Sequence, residues 1–134
     1  MQRFLYDREV DPKQLSPLTL AFIGDTVYDL LVRESLICDA NRPVNDLHSL
    51  AVKEVKASAQ AKAVSQISDK LSEDEADIFR RGRNAKTNHI PKNQSTSDYH
   101  MATGLEALFG YLYLSGKTDR IKELYTFIRG ADNE

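Results

Sequence analysis

Apolar residues recur along this chain at helical spacing. From Leu18 to about Leu36 they lie almost all round: Leu18, Leu20, Phe22, Ile23, Val27, Tyr28, Leu30, Leu31 and Val32. A helix apolar on every side predicts a central, buried element. Ser16-Pro17 marks its start, with Ser as N-cap and Pro at the first position, where a missing N–H costs nothing. Asn41-Arg42-Pro43 interrupts. Leu47, Leu50, Ala51, Val55, Ala59, Ala63 and Val64 then follow i, i+3/i+4 spacing, with Lys53, Lys56 and Lys62 outside. Ser72 with Glu75 is a capping box. Glu73, Asp74, Glu75 and Asp77 crowd the early turns of that helix and Arg80, Arg81 and Arg83 its end, both favourable to the helix dipole. Residues 84–97 are polar and broken by Pro91, a long connection of the kind that often carries function. A helix from about Asp98 to Ser115 is stopped by Gly116. The last begins at Thr118 or Asp119, carries Ile121, Leu124, Tyr125 and Ile128 on one face, and ends at Gly130. No alternating strand pattern occurs, so the expected fold class is all-α.

Composition narrows this picture. At 134 residues, 41% hydrophobic and 28% charged, the chain reads as one ordinary globular domain rather than a disordered one. The domain is taken as residues 1–134, with 1–14 as an N-terminal extension. Cys38 is the sole cysteine, which excludes an intrachain disulfide and a cysteine metal cluster. Met1 to Asp11 has no apolar core of signal-peptide length, and no stretch approaches the ~18 apolar residues of a membrane span. The expected location is the cytoplasm.

Net charge changes the picture more. Lys and Arg number 18 and Asp and Glu 20, a formal charge of −2 that gives no global pull toward a polyanion. Position tells otherwise. Between Ile78 and Thr96 there is no acid, while Arg80, Arg81, Arg83, Lys86 and Lys92 make the window +5 and leave the rest of the chain −7.

Two acids stand out. Asp25 lies in the most apolar stretch of the chain, beside Gly24, a residue that costs up to ~1 kcal/mol in a helix interior. A buried carboxylate there needs a partner or a cation; a solvent-facing Asp on a partly exposed helix is the plainer alternative. Asp29, one turn on, could share its face. Glu106 is likewise a lone acid in an apolar helix, between Gly104 and Gly110, whose spacing would let another helix approach closely. Its alternative is a place on the polar stripe. If the two helices pack together, the two carboxylates converge. Such a pair is poor for zinc, which prefers nitrogen and sulfur, but suits Mg²⁺, with Mn²⁺ as a substitute ion. Mg²⁺ beside a basic surface points to phosphoester hydrolysis.

The basic window supplies that surface. Arg83, Asn84, Lys86, Thr87, His89 and Lys92, with Arg81 at the helix end, form a candidate contact to a nucleic-acid backbone. Arg80 is better read as a helix-end residue. The loop has no aromatic residue to stack on bases, which favours a double strand. His48, His89 and His100 lack metal-ligand spacing, and no nucleophile pairs with them.

These motifs together resemble the ribonuclease III family. Phe22-Ile23-Gly24-Asp25-Thr26-Val27 is similar to that family's Phe-Leu-Gly-Asp-Ser-Val signature helix. Leu105-Glu106-Ala107-Leu108-Phe109-Gly110-Tyr111-Leu112-Tyr113-Leu114 is similar to its second acidic helix. The similarity spans about Leu15 to Leu124. The length, with no double-stranded RNA-binding domain expected, and Phe79-Arg80-Arg81-Gly82-Arg83-Asn84-Ala85-Lys86 resemble the Mini-ribonuclease III branch.

The resemblance implies the helical bundle of a ribonuclease III endonuclease domain. It further implies a homodimer built on the signature helices, and cleavage of double-stranded RNA to 5′-phosphate ends. Asp25 and Glu106 would be catalytic and Mg²⁺-binding, and the substrate a precursor of the large-subunit (23S) ribosomal RNA. Where the wider family has two upstream glutamates this chain has Leu18 and Ala21, and where it has an aspartate before the second glutamate this chain has Thr103. The thinner acidic set leaves the number of metal ions open, with no more than one assigned. It leaves as rivals a catalytically silent RNA-binding relative, against which both retained acids speak, and a helical dimerisation module, for which the +5 window has no use.

Overall fold

The computed structural model describes residues 3–5, 7–86, 90, 92 and 95–132, and among these it is all-helical with no strand. The helices are α1 (Pro17–Asp39), α2 (Val44–Val55), α3 (Ala57–Ile67), α4 (Glu73–Arg83), α5 (Thr96–Leu114) and α6 (Thr118–Asp132). Short 3-10 turns at Pro12–Gln14 and Ser68–Lys70 precede α1 and α4. No helix among the described residues is long and apolar enough to cross a membrane.

Helix starts follow their local signals. The Ser16 side chain accepts from the Thr19 N–H with Pro17 in the first turn, and Ser72 and Glu75 close their capping box. At the end of α5, Gly116 takes φ +72°. The Gly116 N–H donates to Tyr113 O at 3.0 Å and the Lys117 N–H to Leu112 O at 2.9 Å. This double closure needs a left-handed residue, which glycine supplies without strain.

The central helix is α5, not α1. Ten of the 19 residues of α5 are buried, from Ala102 to Leu112. In α1 only Leu20, Ala21, Gly24, Tyr28, Val32 and Leu36 are buried. Leu18, Phe22, Leu30 and Ile37 stand exposed on its outer side. Helix α1 is apolar all round, yet within one chain only one of its sides is covered.

Glycines permit the tight packing around α5. A Cβ on Gly24 would lie 1.6 Å from the carbonyl oxygen of Glu106, and one on Gly110 would lie 2.0 Å from that of Leu20. Helices α1 and α5 therefore touch backbone to backbone. A Cβ on Gly104 would meet the Phe79 ring at 2.7 Å, which sets α4 against the next face of α5. The expected close approach at Gly104 and Gly110 is realised with two different helices. Below the crossing, Tyr28 packs edge-on to Phe109 and to Tyr125, with centroids 5.3 and 5.9 Å apart.

Some boundaries differ from the sequence expectation. The stretch from Leu47 to Val64 is two helices, because Lys56 is extended at ψ 156° and ends α2 as it caps α3. Helix α5 starts at Thr96, since Ser95 takes the N-cap and accepts from the Asp98 N–H at 3.2 Å. The loop is thus shorter than residues 84–97. Helix α6 continues past Gly130, whose added Cβ would meet nothing within 4 Å. Arg120 ties α6 back to α4: its guanidinium donates to both Glu75 carboxylate oxygens at 2.9 Å and to Lys70 O at 2.6 Å.

Candidate active site

Helices α1 and α5 cross at Gly24 and Gly110, and the crossing sets Asp25 beside Glu106. With Gly24 against the Glu106 backbone, the Asp25 carboxyl comes close enough to Glu106 to act on its ionisation. Asp25 is exposed, as the plainer of its two sequence readings had it, and the expectation of a buried carboxylate there does not hold. Gly24, costly in a helix interior, is required by the helix contact itself. Glu106 is half-buried. Its Oε2 accepts a hydrogen bond at 3.1 Å from Nε2 of Gln60 on α3.

Gln60 was not singled out in the sequence. It is 3% exposed, and its Nε2 also donates to Val55 O at 2.8 Å. That carbonyl is freed by the break at Lys56, so one amide closes the α2–α3 corner and holds Glu106. A signal existed: Ala57, Gln60, Ala63, Val64 and Ile67 share the buried stripe of α3 at i, i+3/i+4 spacing, and a polar residue on such a stripe demands a partner.

Burial raises the pKa of Glu106 to about 8, the Gln60 hydrogen bond opposes this, and the neighbouring Asp25 adds to the rise. The consequence for stability has a definite sign. Below pH ~4.5 the carboxyl is protonated in folded and unfolded chains alike. Between the ordinary value of 4.5 and about 8 the unfolded chain releases a proton that the fold retains. Stability therefore falls as pH rises through that window. Thermal melts of metal-free protein are expected to give a lower midpoint at pH 8 than at pH 5.5, and a smaller difference for Glu106→Gln. Equal differences would show that another group is responsible.

The remaining candidates divide. Asp29 does not join Asp25; its Oδ2 pairs with Arg33 Nε at 3.2 Å. Thr103 is buried and donates to its own helix at Tyr99 O, 3.0 Å away. Leu18 is exposed and Ala21 buried, so neither adds an oxygen. Among the described residues no three His, Cys, Asp or Glu side chains gather as a metal group. The donor set is two facing carboxylates with a buried amide beside them, and the Oε1 of that amide has no hydrogen-bond partner. Hard oxygen donors of this kind fit a Mg²⁺ ion that keeps several of its waters.

On the basic side, Arg80 pairs with Asp77, and Arg81 donates to Leu15 O at 3.3 Å, holding the chain just before α1. Arg83, Asn84, Lys86 and Lys92 are exposed. Arg83 Nε donates to the Asn84 side chain at 3.3 Å, and its guanidinium lies 5.9 Å from the Phe79 ring centroid. Thr87 and His89 lie outside the described residues. The loop leaves α4 just after Gly82, where an added Cβ would sit 3.1 Å from Thr103 O and 2.7 Å from Ala107 Cβ. The basic loop thus leaves α4 beside the turn of α5 that carries Glu106.

Comparison with known proteins finds close likenesses to this chain. A sequence profile of the Ribonuclease III domain matches residues 18–117. The chain is 52% identical over 128 residues to the Mini-ribonuclease 3 of Thermoanaerobacter sp. (strain X514), covering 92% of this chain and 90% of that protein. It is 36% identical over 124 residues to the Mini-ribonuclease 3 of Staphylococcus aureus (strain NCTC 8325 / PS 47), covering 91% and 92%. The X-ray crystal structure of protein FN1578 from Fusobacterium nucleatum superposes with a TM-score of 0.81 at 28% identity, covering 90% of this chain and 92% of that one.

Proposed function

Because this chain belongs to the ribonuclease III family, we propose that its endoribonuclease activity is a Mg²⁺-dependent cleavage of double-stranded RNA centred on Asp25 and Glu106. Action on double-stranded RNA follows from the family. The ion and the residue roles are our reading, and the convergence of two carboxylates about eighty residues apart carries it.

Asp25 and Glu106 would hold the ion between α1 and α5. When bound, Mg²⁺ supplies positive charge against the scissile phosphate and the leaving oxygen. Asp25, the exposed acid, faces the solvent from which the attacking water comes and can accept its hydrogen bond. The water oxygen joins phosphorus, the bond from phosphorus to the 3′ oxygen breaks, and the products carry a 5′-phosphate and a 3′-hydroxyl. Glu106, held by Gln60, keeps the second carboxylate in place.

The partners follow from surfaces. Leu18, Phe22, Leu30 and Ile37 are 44, 82, 52 and 63% exposed along the outer side of α1. A row of large apolar side chains beside a catalytic acid supports a homodimer through α1, which covers the uncovered face. Two sites then address the two strands of one duplex, and the +5 window is doubled. Arg83, Asn84, Lys86 and Lys92, with Thr87 and His89, would hold the RNA backbone. A precursor of the 23S ribosomal RNA is the substrate we infer, in the cytoplasm.

The test is a labelled RNA duplex. Cleavage to 5′-phosphate ends with Mg²⁺ and its loss in chelator are expected; cutting that persists in chelator overturns the metal assignment. With Ca²⁺ in place of Mg²⁺, neutralising Arg83, Lys86 and Lys92 together is expected to flatten the salt dependence of binding, since each lost phosphate contact reduces counterion release. An unchanged slope removes the loop from the RNA site.

A further inference from the structure

Gln60 has more hydrogen-bonding capacity than its place in the fold uses. The Val55 carbonyl can only accept, so the amide nitrogen must face it, and this decides which way round the side chain sits. The same nitrogen reaches Glu106 Oε2 at 3.1 Å. Oε1 is then left, fully buried, with no donor. A buried acceptor without a donor is costly. The rest of the stripe is apolar, with Ala57, Ala63, Val64 and Ile67. Closing the corner at Val55 uses one of the two amide hydrogens, and the second is directed at Glu106.

We propose that Gln60 is a positioning residue of the nuclease site, its buried amide nitrogen holding the Glu106 carboxylate beside Asp25 so that the pair is set to take a divalent ion. This rests on the reading above that Asp25 and Glu106 take the ion. Carboxylates only accept hydrogen bonds, so they cannot hold each other when both are ionised; a neutral amide supplies the donor that steadies Glu106. It does so without adding a third negative charge beside Asp25 and Glu106. Groups that orient a metal-binding side chain in this way commonly govern metal affinity without touching the ion.

The test separates this role from a structural one. Gln60→Met keeps the length and removes both polar atoms; Gln60→Asn keeps an amide too short to reach Glu106. For each, the Tm is measured without metal and with Mn²⁺, in the absence of RNA, and duplex cleavage is titrated with Mg²⁺. The expected result is a smaller Mn²⁺-induced gain in Tm and a half-saturating Mg²⁺ concentration raised roughly 10-fold or more, with much of the rate restored at high Mg²⁺. A residue that only closes the α2–α3 corner would lower the Tm equally with and without Mn²⁺ and leave the Mg²⁺ titration unmoved. That outcome in the variant that folds overturns the proposal. A wild-type Tm indifferent to Mn²⁺, with cleavage in chelator, overturns the metal reading as well. Unchanged variants beside a responsive wild type overturn the Gln60 role alone.

Discussion

Asp25→Asn is expected to yield a folded protein that binds duplex RNA and does not cut it. Asp25 is exposed on α1, so its neutral counterpart leaves no buried group unpaired. What is lost is half of the negative charge that would attract a divalent ion, together with the acceptor for the attacking water. Removing a single preorganised electrostatic contact to a transition state typically costs roughly 10²–10³-fold in rate, and a loss of at least that size is expected here. The substitution also removes the charge that helps to raise Glu106, so the metal-free variant is expected to be no less stable than the parent at pH 8. Cleavage of a labelled duplex with Mg²⁺, beside a binding assay in Ca²⁺ and a melt, measures all three. Undiminished cutting would remove Asp25 from the chemistry.

Gly24→Ala is expected to damage both the fold and the site. The added methyl would stand 1.6 Å from Glu106 O, 2.5 Å from Glu106 C and 2.8 Å from Gly110 N. All three are backbone atoms, so no rotamer change relieves the clash, and α1 and α5 must separate by more than an ångström. Overpacking a well-filled interior costs typically 1–3 kcal/mol and occasionally more. Against backbone we expect about 3 kcal/mol or more, a loss on the order of 10 °C in Tm for a domain of this size. The same separation would move Glu106 from Asp25, so activity should fall even well below the new Tm. Gly130→Ala is the control. It lies within α6 with nothing near its added Cβ, and should stabilise by roughly 0.5–1 kcal/mol. Equal melting of Gly24→Ala and the parent would contradict the packing described here.

Much of the candidate site is legible in the sequence. Asp25 and Glu106 were singled out as lone acids on apolar helices, and those helices do bring them together. Gly104 and Gly110 were read as points of close approach, and both are. Other features differ from the sequence expectation for a common reason. Helix α1 was expected at the centre because it is apolar all round, but what covers each side depends on α5 and, under the proposed function, on a second copy of the chain. Asp25 was weighed as a buried charge because its sequence neighbours are apolar; in a helix those neighbours point in other directions. Gln60 drew no notice because its meaning lies in Glu106, 46 positions away.

The chain's own text is most reliable where a feature is made within one turn. Ser16-Pro17, the Ser72–Glu75 box and Gly116 specify helix ends because each bond closes between residues a few positions apart. The segregation of +5 from −7 is likewise written in the order of residues. Burial and mutual distance are not of this kind. Which face of α1 meets α5, how near Glu106 comes to Asp25, and what Gln60 touches follow from where whole helices pack. That packing is set by backbone contacts at Gly24 and Gly110, where the absence of two side chains lets distant parts of the chain meet and form the site.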